Sequence, residues 1–215
     1  MVLALIARTA AAWPVYVANQ VGFFAANGIK PDIVIAGSST AGVAELMAGS
    51  ADIADVSALQ IAEAIMGGAP VTSIFDRGGS GPSVLPLQKD VIPVTQLTYG
   101  VNTTWAKTHA DLVVAFLNAH VQSVQWLYDS ANKSRAIDIL TRETNASPED
   151  AAKLYDTYVT KLKSYALNGT TSREKVRLAL AALVRAKHIN TAPAAVDMFY
   201  DNRYVAVVNT HLKIR

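Results

Sequence analysis

DIVIAGSSTAGVAELMAGSADIADVSALQIAEAIMGGAPVTSIF, residues 32–75, alternates short apolar runs with helical stretches, and a glycine or a hydroxyl marks each change. The run at 32–36 is too short for a helix and rich in β-branched residues, as in a strand covered on both faces. Gly37 ends it, and Ser38, Ser39 and Thr40 offer capping hydroxyls to a helix that runs through Ala48 and stops at Gly49. The pattern then repeats. A strand at 52–55 leads to Ser57 as a cap, a helix to Met66, a stop at Gly67-Gly68 and a fourth strand at 70–75. This spacing makes right-handed βαβ units and a parallel sheet.

Reading outward, VLALIA at 2–7 is a first strand, and Pro14 opens a helix over 15–26 that closes at Asn27-Gly28. Beyond the quoted stretch, VTQLTYGV at 94–101 has β character and is expected to return to the same sheet. From there the period becomes 3.6, with helices at 110–128 and 133–144, one opening at 147–150, one from Thr171 or Ser172 to Ala186, and a short one at 194–199. The expected fold is α/β: a three-layer, parallel-type sheet with helices on both faces, followed by a helical C-terminal half.

The bulk numbers narrow the function. A chain of 215 residues, 51% hydrophobic and 17% charged, can bury a substantial core. Its net charge is +2 with no Lys/Arg run, which argues against nucleic acid as a partner. It has no cysteine, so disulfides, thiolate metal sites and a cysteine nucleophile are excluded. The apolar runs are too short to cross a bilayer. The run at 2–7 lacks the basic segment of a signal peptide and reads as a strand, so a leader is expected to be absent from this chain. His109, His120, His188 and His211 show no ligand spacing, and no nucleophile elbow, P-loop or dinucleotide fingerprint occurs. No catalytic residue, metal or cofactor is expected.

Crossovers of one hand gather the loops after the first three strands at the carboxyl edge, where open α/β sheets bind ligands. Polar residues collect there: Arg8 and Thr9, then Ser38, Ser39 and Thr40, then Asp55 and Ser57. These residues, with Trp13, are the candidate ligand-binding set. Each also has a plainer reading. The hydroxyls at 38–40 suit an anionic or polar ligand at a helix N-terminus, or capping alone, and Ser57 suits a cap. Arg8 either pairs with a carboxylate, sulfonate or phosphate or stays solvated. Trp13 either stacks on a ligand or staples its helix to the core, and Trp105 and Trp126 read as packing residues.

Several pieces in fixed order carry a resemblance. They are GFF at 22–24, NGI at 27–29, the strand-GSS-helix at 33–46, the spacing Leu46, Gly49, Asp52, and GGAPV at 67–71. Further on come TWAKTHADLVVAFLNAHVQSVQWLYD at 104–129 and SPEDAAKLYDTYV at 147–159. Together they resemble the periplasmic solute-binding proteins of ABC transporters, in the group with the nitrate, sulfonate, taurine and thiamine-precursor binders. That resemblance implies a two-lobed protein holding a small polar or anionic solute between its lobes. It also implies a periplasmic or extracellular lipid-anchored location, an ABC permease as partner, and Asp76 and Arg77 as hinge residues.

The middle departs from the pattern. The chain of such a protein crosses to a second lobe after the fourth strand, yet here FDRGGSGPS at 75–83 is followed almost at once by the return. GGSG is a flexible joint. The expectation is a single lobe over 1–215, assembled from 1–77 and 84–215 through a Gly/Ser linker at 78–83, its second lobe excised by design or, on the plainer reading, absent from a naturally shortened protein with a glycine loop. Such a lobe would bind weakly or not at all. Two other functions are weighed: a thiamine-pyrimidine-synthase-like enzyme domain, which the lack of cysteine disfavours, and a self-associating module that dimerises through the uncovered inter-lobe face.

Overall fold

The computed structural model describes residues 1–78 and 97–214, apart from 186, 188 and 194. Of the Gly/Ser stretch at 78–83, only Gly78 falls within them.

Among the described residues five strands form one sheet: β1 (Val2–Leu5), β2 (Asp32–Ile35), β3 (Ile53–Ser57), β4 (Val71–Asp76) and β5 (Leu97–Asn102), in the order β2-β1-β3-β5-β4. β1 runs parallel to β2 and β3. β5 lies between β3 and β4 and is antiparallel to both. The parallel-type sheet expected from the sequence is therefore mixed by one strand. The register shows why: β5 enters at the edge where β4 ends, Thr98 opposite Asp76, and so runs back down the sheet against both neighbours.

Among the described residues ten α-helices cover the faces: α1 (Trp13–Val21), α2 (Phe23–Ala26), α3 (Ser39–Ala48), α4 (Ala58–Met66), α5 (Thr103–Thr108), α6 (Ala110–Tyr128), α7 (Lys133–Thr144), α8 (Pro148–Leu154), α9 (Arg173–Arg185) and α10 (Arg203–His211). Side chains alternate across each strand, so Leu3, Leu5 and Ile53 enter one core while Ala4, Ala54 and Val56 enter the other. The first core takes Tyr16, Phe75, Tyr99, Phe116 and Leu117 and is roofed by α1, α6 and α10. The second takes Leu46 from α3, Ile61 from α4 and Leu180 from α9.

Local chemistry sets the helix ends. Ser38 Oγ accepts from the Ala41 amide at 3.1 Å, Ser57 Oγ from Gln60 at 3.2 Å and Ser147 Oγ from Asp150 at 3.1 Å. The single helix expected at 15–26 is two helices, because Gly22 adopts φ +98°, a left-handed turn that stops α1 and starts α2. The helix opening at Pro148 loosens into a π-helical turn, Tyr155–Lys161. At 194–199 there is a 3-10 turn, Val196–Phe199, instead of an α-helix.

One buried titratable group makes stability depend on pH. His120 of α6 is 2% exposed, edge-on to Phe75, with Nδ1 3.1 Å from the Tyr99 hydroxyl. Burial first, and the Arg77 charge second, hold its pKa well below the ordinary 6.5, so it is neutral in the fold. The unfolded chain protonates it near about 6.5. Stability is thus complete above that pH and falls as the pH drops below it, by about 1.4 kcal/mol per pH unit, until the folded pKa is reached. Urea unfolding at pH 7.5 and pH 5 is expected to show the loss, and His120→Phe to remove this share of it. An unchanged pH slope in the variant would overturn the assignment.

Candidate functional site

β1, β2, β3 and β4 all end on the same side of the sheet, as their registers require: Leu5 lies opposite Ile35, Ser57 opposite Leu97 and Asp76 opposite Thr98. Three helical N-termini open at this carboxyl edge. They belong to α3, α4 and the 3-10 turn Ala10–Ala12 that leads into α1. Unpaired N–H groups and the helix dipole make such an edge favourable to negative charge.

The hydroxyls serve first as structure. Ser38 is exposed and caps α3, while Thr40 beside it is exposed as well. Ser39 Oγ accepts from the Ser57 amide at 2.9 Å, which ties the loop after β2 to the end of β3. Ser57 caps α4, and its hydroxyl also meets Gln60 Oε1. Thr9 starts the Ala10–Ala12 turn without a side-chain cap. It lines a cavity of about 450 Å³ with Ala10, Ala11, Thr144, Ala146, Leu154 and Tyr158. Arg8 is exposed and pairs with Glu143 at 2.8 Å, and Gln20 holds the other oxygen of that carboxylate at 3.0 Å.

Three further candidates, Trp13, Asp76 and Arg77, are bonded into the fold. Trp13 is fully buried, its Nε1 donating to the Ala136 carbonyl at 3.1 Å and its ring set edge-on to Tyr155. No ring face remains for a ligand, so the stapling role is the one realised. Asp76 and Arg77, expected as hinge residues, are bonded through their backbone to neighbouring segments. The Asp76 amide donates to Gly169 O at 2.7 Å, the Arg77 amide to Leu97 O at 3.1 Å, and the Ala166 amide to Arg77 O at 3.3 Å.

Behind the edge lies a buried polar cluster. The Arg77 guanidinium pairs with the Asp55 carboxylate, both side chains 4% exposed. It also donates to the Ala11 carbonyl and sits 4.7 Å over the Tyr99 ring. Burial works against the Arg77 charge, but Asp55 and its neighbours more than offset it, and the net shift of its pKa is upward. Tyr165 sends its hydroxyl 2.7 Å to the Ala10 carbonyl. Arg77 Nε has no hydrogen-bond partner among the described residues, and the Tyr16 hydroxyl, 1% exposed, lies against the Thr9 backbone. Burial pushes the Tyr16 hydroxyl up to about 12, against the pull of Arg8 and the Thr9 backbone.

The sequence brought Arg8, Thr9, Ser38–Thr40, Asp55 and Ser57 to one edge, but it missed Tyr16 and Tyr165. Tyr16 carried a signal, since its place one turn into α1 directs its side chain back toward the β1 exit. Tyr165 carried none, because only the tertiary fold brings it there. Among the described residues, no three His, Cys, Asp or Glu side chains gather to hold a metal ion.

Comparison with known proteins agrees with this architecture. Residues 10–91 match the family described as NMT1/THI5 like. No curated protein matches the chain. The periplasmic nitrate-binding protein NrtA of Synechocystis PCC 6803 superposes with TM-score 0.76 at 11% identity, over 100% of this chain and 89% of that one. A periplasmic sulfonate-binding protein SsuA of Methylobacillus flagellatus KT gives 0.69 at 14% identity, over 100% and 95%. The periplasmic aliphatic sulphonate binding protein SsuA of Escherichia coli gives 0.64 at 10%, over 94% and 97%. At such identities the likeness establishes the fold, which is that of the periplasmic binding proteins.

Proposed function

We propose that this chain, with a periplasmic-binding-protein fold and the NMT1/THI5-like pattern over residues 10–91, binds a small anionic or polar solute at the carboxyl edge of its sheet. The observation that carries this reading is the convergence of three helical N-termini and the hydroxyls of Thr9, Ser38 and Thr40 on one edge. The names of the neighbours, a nitrate binder and sulfonate binders, support the anionic class. The protein would act outside the cytoplasmic membrane and hand its solute to an ABC permease.

The described residues contain one sheet, with β4 leaving and β5 entering it at the ligand edge. The segment 79–96 between them is too short for a second sheet with its helices. We therefore read the chain as one lobe. The family match continues through 78–83 to residue 91, which supports a junction after 91 and not in the Gly/Ser stretch. One lobe leaves its ligand open to water, whereas small-molecule sites enclose about 70–90% of their ligand. Affinity is accordingly weak. Among the described residues of this edge, self-association finds little apolar surface, Ile35 being the exposed large apolar side chain at the end of β2.

The test is a titration of the chain with nitrate, ethanesulfonate and a hydroxymethylpyrimidine, followed by calorimetry and amide NMR. Shifts at residues 8–11 and 38–40 with a dissociation constant of about a millimolar are expected. Micromolar affinity would refute the single-lobe weakness. Silence of both loops toward every probe would refute the binding edge itself.

A further inference from the structure

An asparagine followed by glycine leaves its side-chain amide open to attack by the next backbone nitrogen, because no Cβ crowds the approach. The chain has two such pairs, Asn27-Gly28 and Asn168-Gly169, and the fold treats them in opposite ways. Asn27 is half-buried at the end of α2. Its Nδ2 donates to the Phe23 carbonyl and to Gln122 Oε1, both at 2.8 Å, and the Gly28 amide donates to the Ala25 carbonyl at 3.0 Å. The group that would leave and the nitrogen that would attack are both held elsewhere.

Asn168 is exposed, in a segment with neither helix nor strand. Its Oδ1 accepts from the Thr170 amide at 3.1 Å, an Asx turn that folds the side chain back along the Gly169 peptide. The same oxygen accepts from Asn209 Nδ2 of α10 at 3.0 Å. Two donors draw charge from the carbonyl carbon and stand where negative charge gathers when it is attacked. Among the described residues, neither the Gly169 amide nor Asn168 Nδ2 donates a hydrogen bond.

We propose that Asn168 is a modification site, deamidating spontaneously in the folded protein with Asn209 as the side chain that activates it. The Gly169 nitrogen loses its proton to solvent base and bonds to Asn168 Cγ. Nδ2 takes a proton from water and leaves as ammonia, and the ring closes to a succinimide. Water opens that ring at either carbonyl, giving aspartate or isoaspartate, with no change of oxidation state. Either product adds a negative charge, and isoaspartate also lengthens the main chain by a methylene just before Gly169. Gly169 O accepts from the Asp76 amide at 2.7 Å, and its Cα is packed against the Phe75 ring. The lengthened chain therefore loosens the end of β4.

The test incubates the full chain in mildly alkaline buffer, folded and, in parallel, unfolded in guanidinium chloride, and reads amide-to-acid conversion at each pair by peptide mass spectrometry. Unfolded, the two pairs are expected to react at matching rates. Folded, Asn27 should react more than about tenfold more slowly than Asn168, the scale of two hydrogen bonds. Asn209→Ala should slow Asn168 about fivefold, the scale of one, and leave Asn27 unchanged. If Asn209→Ala does not fold, Asn209→Asp removes the same donor at constant size. Equal rates at the two pairs in the folded protein, or Asn27 reacting first, would overturn the site. An unchanged or faster Asn168 in the variant would overturn the role of Asn209, as would rates at both pairs that change together.

Discussion

Asp55→Ala is expected to lower the stability of the fold by about 3–5 kcal/mol, the cost of stranding a buried charge. Asp55 and Arg77 are both about 4% exposed at the side chain, so water cannot take the place of the lost carboxylate. The remaining guanidinium would keep the Ala11 carbonyl and the Tyr99 ring, neither of which carries a countercharge. Urea unfolding measures the loss. The double variant Asp55→Leu/Arg77→Met should recover a large part of it, since replacing a whole buried pair by apolar side chains is often neutral. A double variant less stable than Asp55→Ala would show that the Arg77 bond to Ala11, and not the ion pair, dominates.

Gly169→Ala is expected to be the next most damaging change. The 164–170 segment lies against the end of β4, where Gly169 O accepts from the Asp76 amide at 2.7 Å. A Cβ on Gly169 would overlap the ring of Phe75, which is fully buried and has no free space to move into. Overpacking of this kind costs about 3 kcal/mol, or roughly 6–12 °C of melting temperature for a chain of this size. Phe75→Leu in the same chain should restore part of the loss by making room, and a thermal melt of the four-member cycle reads the coupling. Additive losses would place the strain elsewhere.

The front of the sheet was legible because each turn there is written in local chemistry. Ser38, Ser57 and Ser147 cap the helices their positions predict, and Gly49 closes α3. The helices at 110–128 and 133–144 fall where the period placed them. The direction of β5 was not legible, since strand composition says nothing about which way a strand runs. α5 was missed because its cap, Asn102, doubles as the last residue of β5. At the site, residue types near strand ends were readable, but their partners were not. Trp13 and Arg77 gave no local sign that Ala136 and Asp55 would occupy them, because those neighbours arrive from distant segments.

The placement of β5 has a consequence for synthesis. Among the described residues, β4 has no sheet neighbour other than β5 along its length, apart from the bridge of Ser73 to Tyr200. While the ribosome has delivered only the first 78 residues, β3 therefore presents a bare hydrogen-bonding edge and β4 has nowhere to dock. Nascent chains paused before Asn102 should be sticky and should recruit holdase chaperones, and that hazard ends when β5 slots in between β3 and β4.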